Sequence, residues 1–124
     1  MKTEKLPRES FTAKSRQLTR YHFYVGLVTK DRDFIFTFAM AKEMVIEVLP
    51  FSGATISEGT GVYKGEVEPS MCIEAILTAE EVGHLDHYNK IDLDVVDSFA
   101  IRLKDLFKQE TIMVTKENIA VKYY

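Results

Sequence analysis

The residues with the most chemical potential lie in one stretch, Gly53 to Ser70, with the sequence GATISEGTGVYKGEVEPS. Within it, Glu58-Gly59-Thr60-Gly61 reads as a glycine turn or bulge whose backbone N–H groups could face a phosphate. Tyr63 and Lys64 follow at once and would supply a ring and a cation beside it. The spacing is not that of a P-loop, which needs a longer glycine loop ending in Gly-Lys-Ser/Thr, and it is not the dinucleotide fingerprint. The plainer alternative is a bulge that only twists a strand. A second polar pair, Gln109-Glu110, falls where a helix-like run gives way to a strand-like one. There Glu110 could accept from a ligand hydroxyl.

Other candidates are thinner. His84 and His87 would share one face of a helix, with Asp86 pointing elsewhere, and two ligands do not make a metal site. His22 is the remaining histidine. Cys72 has no partner histidine at a telling distance in the chain and reads as a small buried residue. No nucleophile elbow, diagnostic carboxylate pair or kinase motif is present. The expectation is therefore no metal and no cofactor.

Composition bounds the rest. A chain of 124 residues is one domain, and 46% apolar with 28% charged residues is an ordinary globular balance. A single cysteine excludes an internal disulfide framework and suits a reducing compartment. No apolar run is long enough to span a bilayer, and the first residues lack the apolar centre of a secretion signal. The expected location is the cytoplasm, or the host cytoplasm if the protein is viral. Charge is uneven. Residues 1–20 hold six basic and two acidic side chains, a net +4, which leaves −7 for the rest of a chain of net −3. They form a basic arm on an acidic domain at 21–124, and the acidic body argues against an extended nucleic-acid surface.

The elements that must position these residues follow a repeated pattern. Tyr21–Thr29 alternates as a strand, with Tyr21, Phe23, Val25 and Leu27 on the core side and His22, Tyr24 and Gly26 on the other. Phe34–Leu49 has the period of a helix, with Asp31 or Asp33 as its cap. Ala54–Lys64 and Met71–Leu77 read as strands two and three. Thr78-Ala79-Glu80-Glu81 is a capping box that opens a short inserted helix reaching about Tyr88. Asp92 or Asp94 then caps a second main helix, Val95–Gln109. Thr111–Thr115 is a fourth strand, and Ile119–Tyr124 a fifth strand or an extension after a turn. The order β-α-β-β-α-β predicts an α+β domain, a ferredoxin-like split βαβ sandwich with an antiparallel sheet and two main helices on one face.

The first helix carries more apolar surface than one sheet can cover. Beside the stripe of Phe34, Phe38, Ala41, Val45, Val48 and Leu49 runs a second one of Phe36, Met40 and Met44. A second subunit is the expected cover, and this predicts a homo-oligomer.

Gly26-Leu27, Gly61-Val62-Tyr63, Glu68-Pro69-Ser70 and Phe107-Lys108-Gln109-Glu110 together resemble a family of small domains found in bacteria and their phages that lacks an assigned function. The resemblance spans roughly residues 21–115. The family usually has tryptophan where this chain has Tyr63, and it lacks the insertion at 79–93. The fold this implies is similar to that of nitrogen-regulatory PII-type proteins, which form trimers and bind nucleotides between subunits. No PII signature is present, so that second likeness is one of fold.

These readings converge on a non-enzymatic oligomer that binds a small anionic ligand, such as a nucleotide, at Glu58, Gly59, Thr60, Gly61, Tyr63, Lys64, Gln109 and Glu110. A phage origin would suit sequestration of a nucleotide signal. Two alternatives remain open. One is an inhibitor or assembly factor that docks another protein through helix one or the edge strand Ile119–Tyr124. The other is a small enzyme with His22 or Glu110 as a cleft base.

Overall fold

The computed structural model describes residues 15–82 and 94–124. The chain forms β1 (Arg16–Gly26), α1 (Phe38–Val48), β2 (Thr55–Tyr63), β3 (Glu66–Leu77), α2 (Ala79–Val82), α3 (Val95–Leu106) and β4 (Met113–Val121). The four strands make one antiparallel sheet in the order β2-β3-β1-β4. This is the ferredoxin-like split βαβ arrangement, α+β in class.

The sheet is two-sided in the way strand alternation demands. Tyr21, Phe23, Val25 and Leu27 of β1 and its continuation are buried with Met71, Ile73, Ala75 and Leu77 of β3. Ala41 and Val45 of α1, and Val96, Phe99 and Leu103 of α3, close the core over them. Phe23 meets Phe99 edge to face at 5.0 Å, and Phe51 meets Phe99 in the same way at 5.3 Å. The opposite face carries His22 and Tyr24, whose rings stack at 5.9 Å.

Local signals act as expected at three places. Asp94 Oδ1 accepts from Asp97 N at 2.7 Å and caps α3. Thr78 and Glu81 form a capping box, Thr78 N donating to Glu81 Oε1 and Glu81 N to Thr78 Oγ1, both at 3.2 Å. Pro50 follows the α1 C-cap, where the preceding residue is forced out of the helical region.

Several boundaries differ. Strand one begins at Arg16, five residues before the expected start, because Arg16 to Arg20 find partners on β4 from Val121 to Glu117. The expected helix at 34–49 begins only at Phe38. Thr37 is its cap, its hydroxyl accepting from Met40 N, and neither Asp31 nor Asp33 caps it. Residues 34–36 are extended, since Thr29 N donates to Phe34 O and Phe36 N to Leu27 O. Phe36 therefore enters the core at 8% exposure instead of lying on a helix surface. Strand four and the proposed fifth strand are one strand, Met113–Val121. The expected turn at 116–118 stays extended because Lys116, Glu117 and Asn118 pair with Tyr21, Arg20 and Thr19.

The β2–β3 hairpin closes through a two-residue turn, Lys64 (φ 50) and Gly65 (φ 80). Positive φ at both positions marks the turn type that fits strand twist. Pairing with β1 begins only at Ser70, opposite Gly26. Glu66 to Glu68 thus have a strand neighbour on one side alone, and the tip overhangs the sheet with Val62 and Val67 exposed at 71% and 73%.

Candidate functional site

A cleft of about 190 Å³ lies where β1 ends, between the loop at 28–32, the hairpin and the segment after α3. Val28, Thr29, Lys30, Arg32, Tyr63, Glu68, Gln109, Glu110 and Thr111 line it. It brings together Tyr63, Gln109 and Glu110 of the residues expected from the sequence.

The loop is held by its own hydrogen bonds. Thr29 is almost wholly buried, and its hydroxyl donates to Asp33 Oδ1 at 2.6 Å. The same Oγ1 accepts from Asp33 N and Phe34 N, both at 3.2 Å. This hydrogen bond holds the Asp33 carboxyl below the usual carboxylate range. Arg32 N donates to Thr29 O at 2.8 Å, and the Arg32 backbone sits in the left-handed region at φ 59.

From there Arg32 reaches the hairpin. Its Nη1 lies 2.5 Å from Glu68 Oε1 and its Nη2 lies 3.5 Å from Glu66 Oε2. The Glu68 side chain is 16% exposed against 74% for Glu66. Glu68 Oε1 is shielded from solvent and makes no aligned hydrogen bond, so its contact with Arg32 is an ion pair by proximity. Such a shielded carboxylate attracts positive charge strongly, because little water competes for it.

On the other side of the cleft, Gln109 is a clip. Its Nε2 donates to Val28 O at 2.7 Å and to Phe107 O at 3.0 Å, which uses both amide hydrogens. Its Oε1 lies over Gly26, where an added Cβ would be only 2.7 Å away. An alanine at 26 would push the Gln109 amide out of this position. Lys30 N donates to Lys108 O at 2.8 Å and fastens the loop to the end of α3.

The glycine turn expected at 58–61 is not a turn. Glu58, Gly59, Thr60 and Gly61 run in regular register with Met71, Ser70, Pro69 and Glu68. Successive amides of a strand point in opposite directions, so they cannot converge on one phosphate as a nest does. Gly59 instead lies close to β3, an added Cβ there falling 3.0 Å from Ser70 Oγ. Lys64 is at the hairpin turn, its Nζ 5.3 Å from the centroid of the Tyr63 ring, and does not line the cleft.

The remaining candidates lie elsewhere. His22 Nε2 is 2.9 Å from Glu74 Oε2 on the open sheet face, outside the cleft. Cys72 is half-buried on that face. Burial, and then the Glu74 carboxylate, push its thiol up and keep it protonated at neutral pH. Met40 is 44% exposed on α1, while Met44 is partly buried against the core. His84 and His87 lie outside the described residues, as does the arm up to residue 14. Among the described residues no group of three or more His, Cys, Asp or Glu could hold a metal ion, and no helix is long and apolar enough to cross a membrane.

Sequence reasoning missed the cleft's charged centre. Arg32 is not among the residues the sequence singles out, and Glu68 enters only through a motif likeness. The readable signal was Thr29 and Asp33 bracketing an arginine, a spacing that suits a side-chain-pinned loop.

No protein-family model matches the sequence, and no curated protein sequence matches it. Among solved structures, a phage SAM lyase in its apo state aligns with a TM-score of 0.54 and 20% identity, over 87% of this chain and 93% of that one. The phage SAM lyase in complex with S-methyl-5'-thioadenosine aligns with a TM-score of 0.51 and 21% identity, over 86% and 92%. This chain shares their fold. A PII-like protein from Thiomonas intermedia K12, bound to ADP, AMP and bicarbonate, aligns with a TM-score of 0.48 and 13% identity, over 90% and 99%.

Proposed function

We propose that the protein binds a small adenine-nucleoside ligand in the cleft between the 28–32 loop, the hairpin and Gln109–Thr111. The observation that carries this reading is the composition of the cleft. Three other stretches of chain converge on a shielded carboxylate, Glu68, with an aromatic ring, Tyr63, beside it. Aromatic faces stack on purines without regard to charge. The likeness of fold to an enzyme solved with S-methyl-5'-thioadenosine supports the choice of an adenosine-bearing ligand.

The anionic ligand expected from the sequence is less well matched. Lys30 and Arg32 are offset by Glu68 and Glu110, and Arg32 is already engaged. A positively charged sulfonium, as in SAM, suits Glu68 better than a phosphate does. Isothermal calorimetry against SAM, S-methyl-5'-thioadenosine, AMP and ADP tests the proposal. Binding of SAM or S-methyl-5'-thioadenosine that is lost in Tyr63→Ala supports it, and binding of none of the four overturns it.

A second reading is favoured by Glu68 itself. A carboxylate beside a sulfonium would hold SAM so that the substrate's own carboxylate oxygen bonds to the carbon next to sulfur as the carbon–sulfur bond breaks, the rest of the substrate leaving as a lactone. The protein would then release S-methyl-5'-thioadenosine from SAM. Product release measured by chromatography, and its loss in Glu68→Gln, is the test.

Assembly belongs to the same proposal. Phe34, Ile35, Met40 and Ile46 are exposed apolar residues on and before α1, and a second copy of the chain is the cover we propose for them. Native mass spectrometry of the wild type and of Met40→Glu decides this. A monomer in both removes the oligomer. A phage origin and a cytoplasmic location remain parts of this proposal and rest on the likeness to the phage enzyme.

A further inference from the structure

We propose that Arg32 is a built-in competitor that sets which ligand charge the cleft accepts; this rests on the reading of the cleft as a nucleoside site. The Arg32 guanidinium holds the position beside Glu68 Oε1 that a ligand cation would take, with Nη1 2.5 Å away. A cationic ligand reaches Glu68 only by exchanging with it. A neutral thioether has no such contest.

Three features make Arg32 suited to exchange. Its backbone is fixed in the left-handed region by the Thr29 hydrogen bonds, so the side chain pivots from a fixed point. Its side chain is half exposed, so it can move without disturbing the core. It also has a second seat. Glu66 lies two residues before Glu68 on β3, hence on the same face, and its Oε2 is already 3.5 Å from Arg32 Nη2. Displaced from the shielded inner carboxylate, the guanidinium settles on the exposed outer one. Gly61, opposite Glu68 in the register, puts no side chain over the exchange.

The inner seat is the stronger, because Glu68 is largely withdrawn from water and Glu66 is not. Arg32 therefore costs a cationic ligand affinity, and removing it should restore that affinity selectively.

The test compares SAM, which carries a sulfonium, with S-methyl-5'-thioadenosine, its neutral thioether relative, by calorimetry. Arg32→Gln keeps most of the side-chain length and removes the charge. It should bind SAM about tenfold more tightly, while the affinity for S-methyl-5'-thioadenosine stays within about twofold. Glu68→Gln should abolish any preference for SAM. If SAM binds more weakly to Arg32→Gln, or both ligands shift together, the competitor is overturned while binding to the wild type keeps the nucleoside reading. If wild type and Arg32→Gln bind neither ligand, both readings fall. Should Arg32→Gln not fold, Glu66→Gln decides. Loss of the outer seat should weaken SAM about threefold and leave S-methyl-5'-thioadenosine unchanged, and an unchanged SAM affinity overturns the exchange.

Discussion

Gln109 Nε2 donates to the carbonyl of Val28 across 81 residues of sequence, at 2.7 Å, and so ties the end of α3 to the end of β1. The same side chain packs its Oε1 where Gly26 offers no Cβ. The two residues form one unit. Gln109→Ala should cost about 1 kcal/mol, since it takes the donor from two part-buried carbonyls. Gly26→Ala should cost a comparable amount by driving Gln109 off its acceptors. The double variant should be less destabilised than the sum, because each change removes what the other disrupts. Urea unfolding of the four proteins measures this, and strict additivity would refute the coupling.

Phe36 belongs to the core through edge-to-face contacts with Phe107 at 5.1 Å and Phe34 at 4.8 Å. Phe36→Ala should destabilise by about 3–5 kcal/mol, as deletions of buried aromatic rings do. Phe34→Ala, at an exposed ring, should cost far less. Equal losses in thermal unfolding would contradict the placement of Phe36.

Lys64 occupies a conformation that asparagine tolerates better. Lys64→Asn should stabilise the hairpin by about 0.5 kcal/mol, and Gly65→Ala should destabilise by about 1 kcal/mol. Denaturant midpoints report both. A Gly65→Ala variant as stable as the wild type would exclude positive φ at that turn.

Asp33 gives the loop a pH dependence. Its carboxyl titrates below the ordinary value of 3.8 when folded, chiefly through the Thr29 hydroxyl. The stabilisation is therefore complete above that value and is lost as pH falls through the lower folded pKa. Thr29→Val should move the Asp33 midpoint back up toward 3.8 in a carboxyl NMR titration. An unmoved midpoint would show that the hydroxyl is not the cause.

Much of the fold could be read in the chain because burial enforces alternation. The set Tyr21, Phe23, Val25 and Leu27 lies on the core side as expected, and so do Met71, Ile73, Ala75 and Leu77. The Thr78–Glu81 cap, and Asp94 of the two aspartates offered as a cap, are chemical signals of short range, and the structure has both. What escaped notice depends on distant partners. Helical spacing from Phe34 was misleading because Val28 pairs with Ile35 and draws that segment into an extended path. The glycines at 59 and 61 read as a turn because their pairing with Ser70 and Glu68 on β3 is invisible in one strand. The cleft showed only in part. Tyr63, Gln109 and Glu110 could be picked out one by one, but Arg32 and Glu68 acquire meaning only once a loop and a hairpin are placed side by side.

The overhanging hairpin gives the two sides of the cleft different mechanical characters. Glu66 to Glu68 are held by one neighbouring strand, whereas Ser70 to Glu74 are held by two. Amides at the tip should exchange with solvent deuterium well before those of the central sheet. Tyr63 and Glu68 therefore stand on a compliant wall, and Gln109, clamped to both α3 and β1, stands on a stiff one. Whatever enters between them is shaped by the first and positioned by the second.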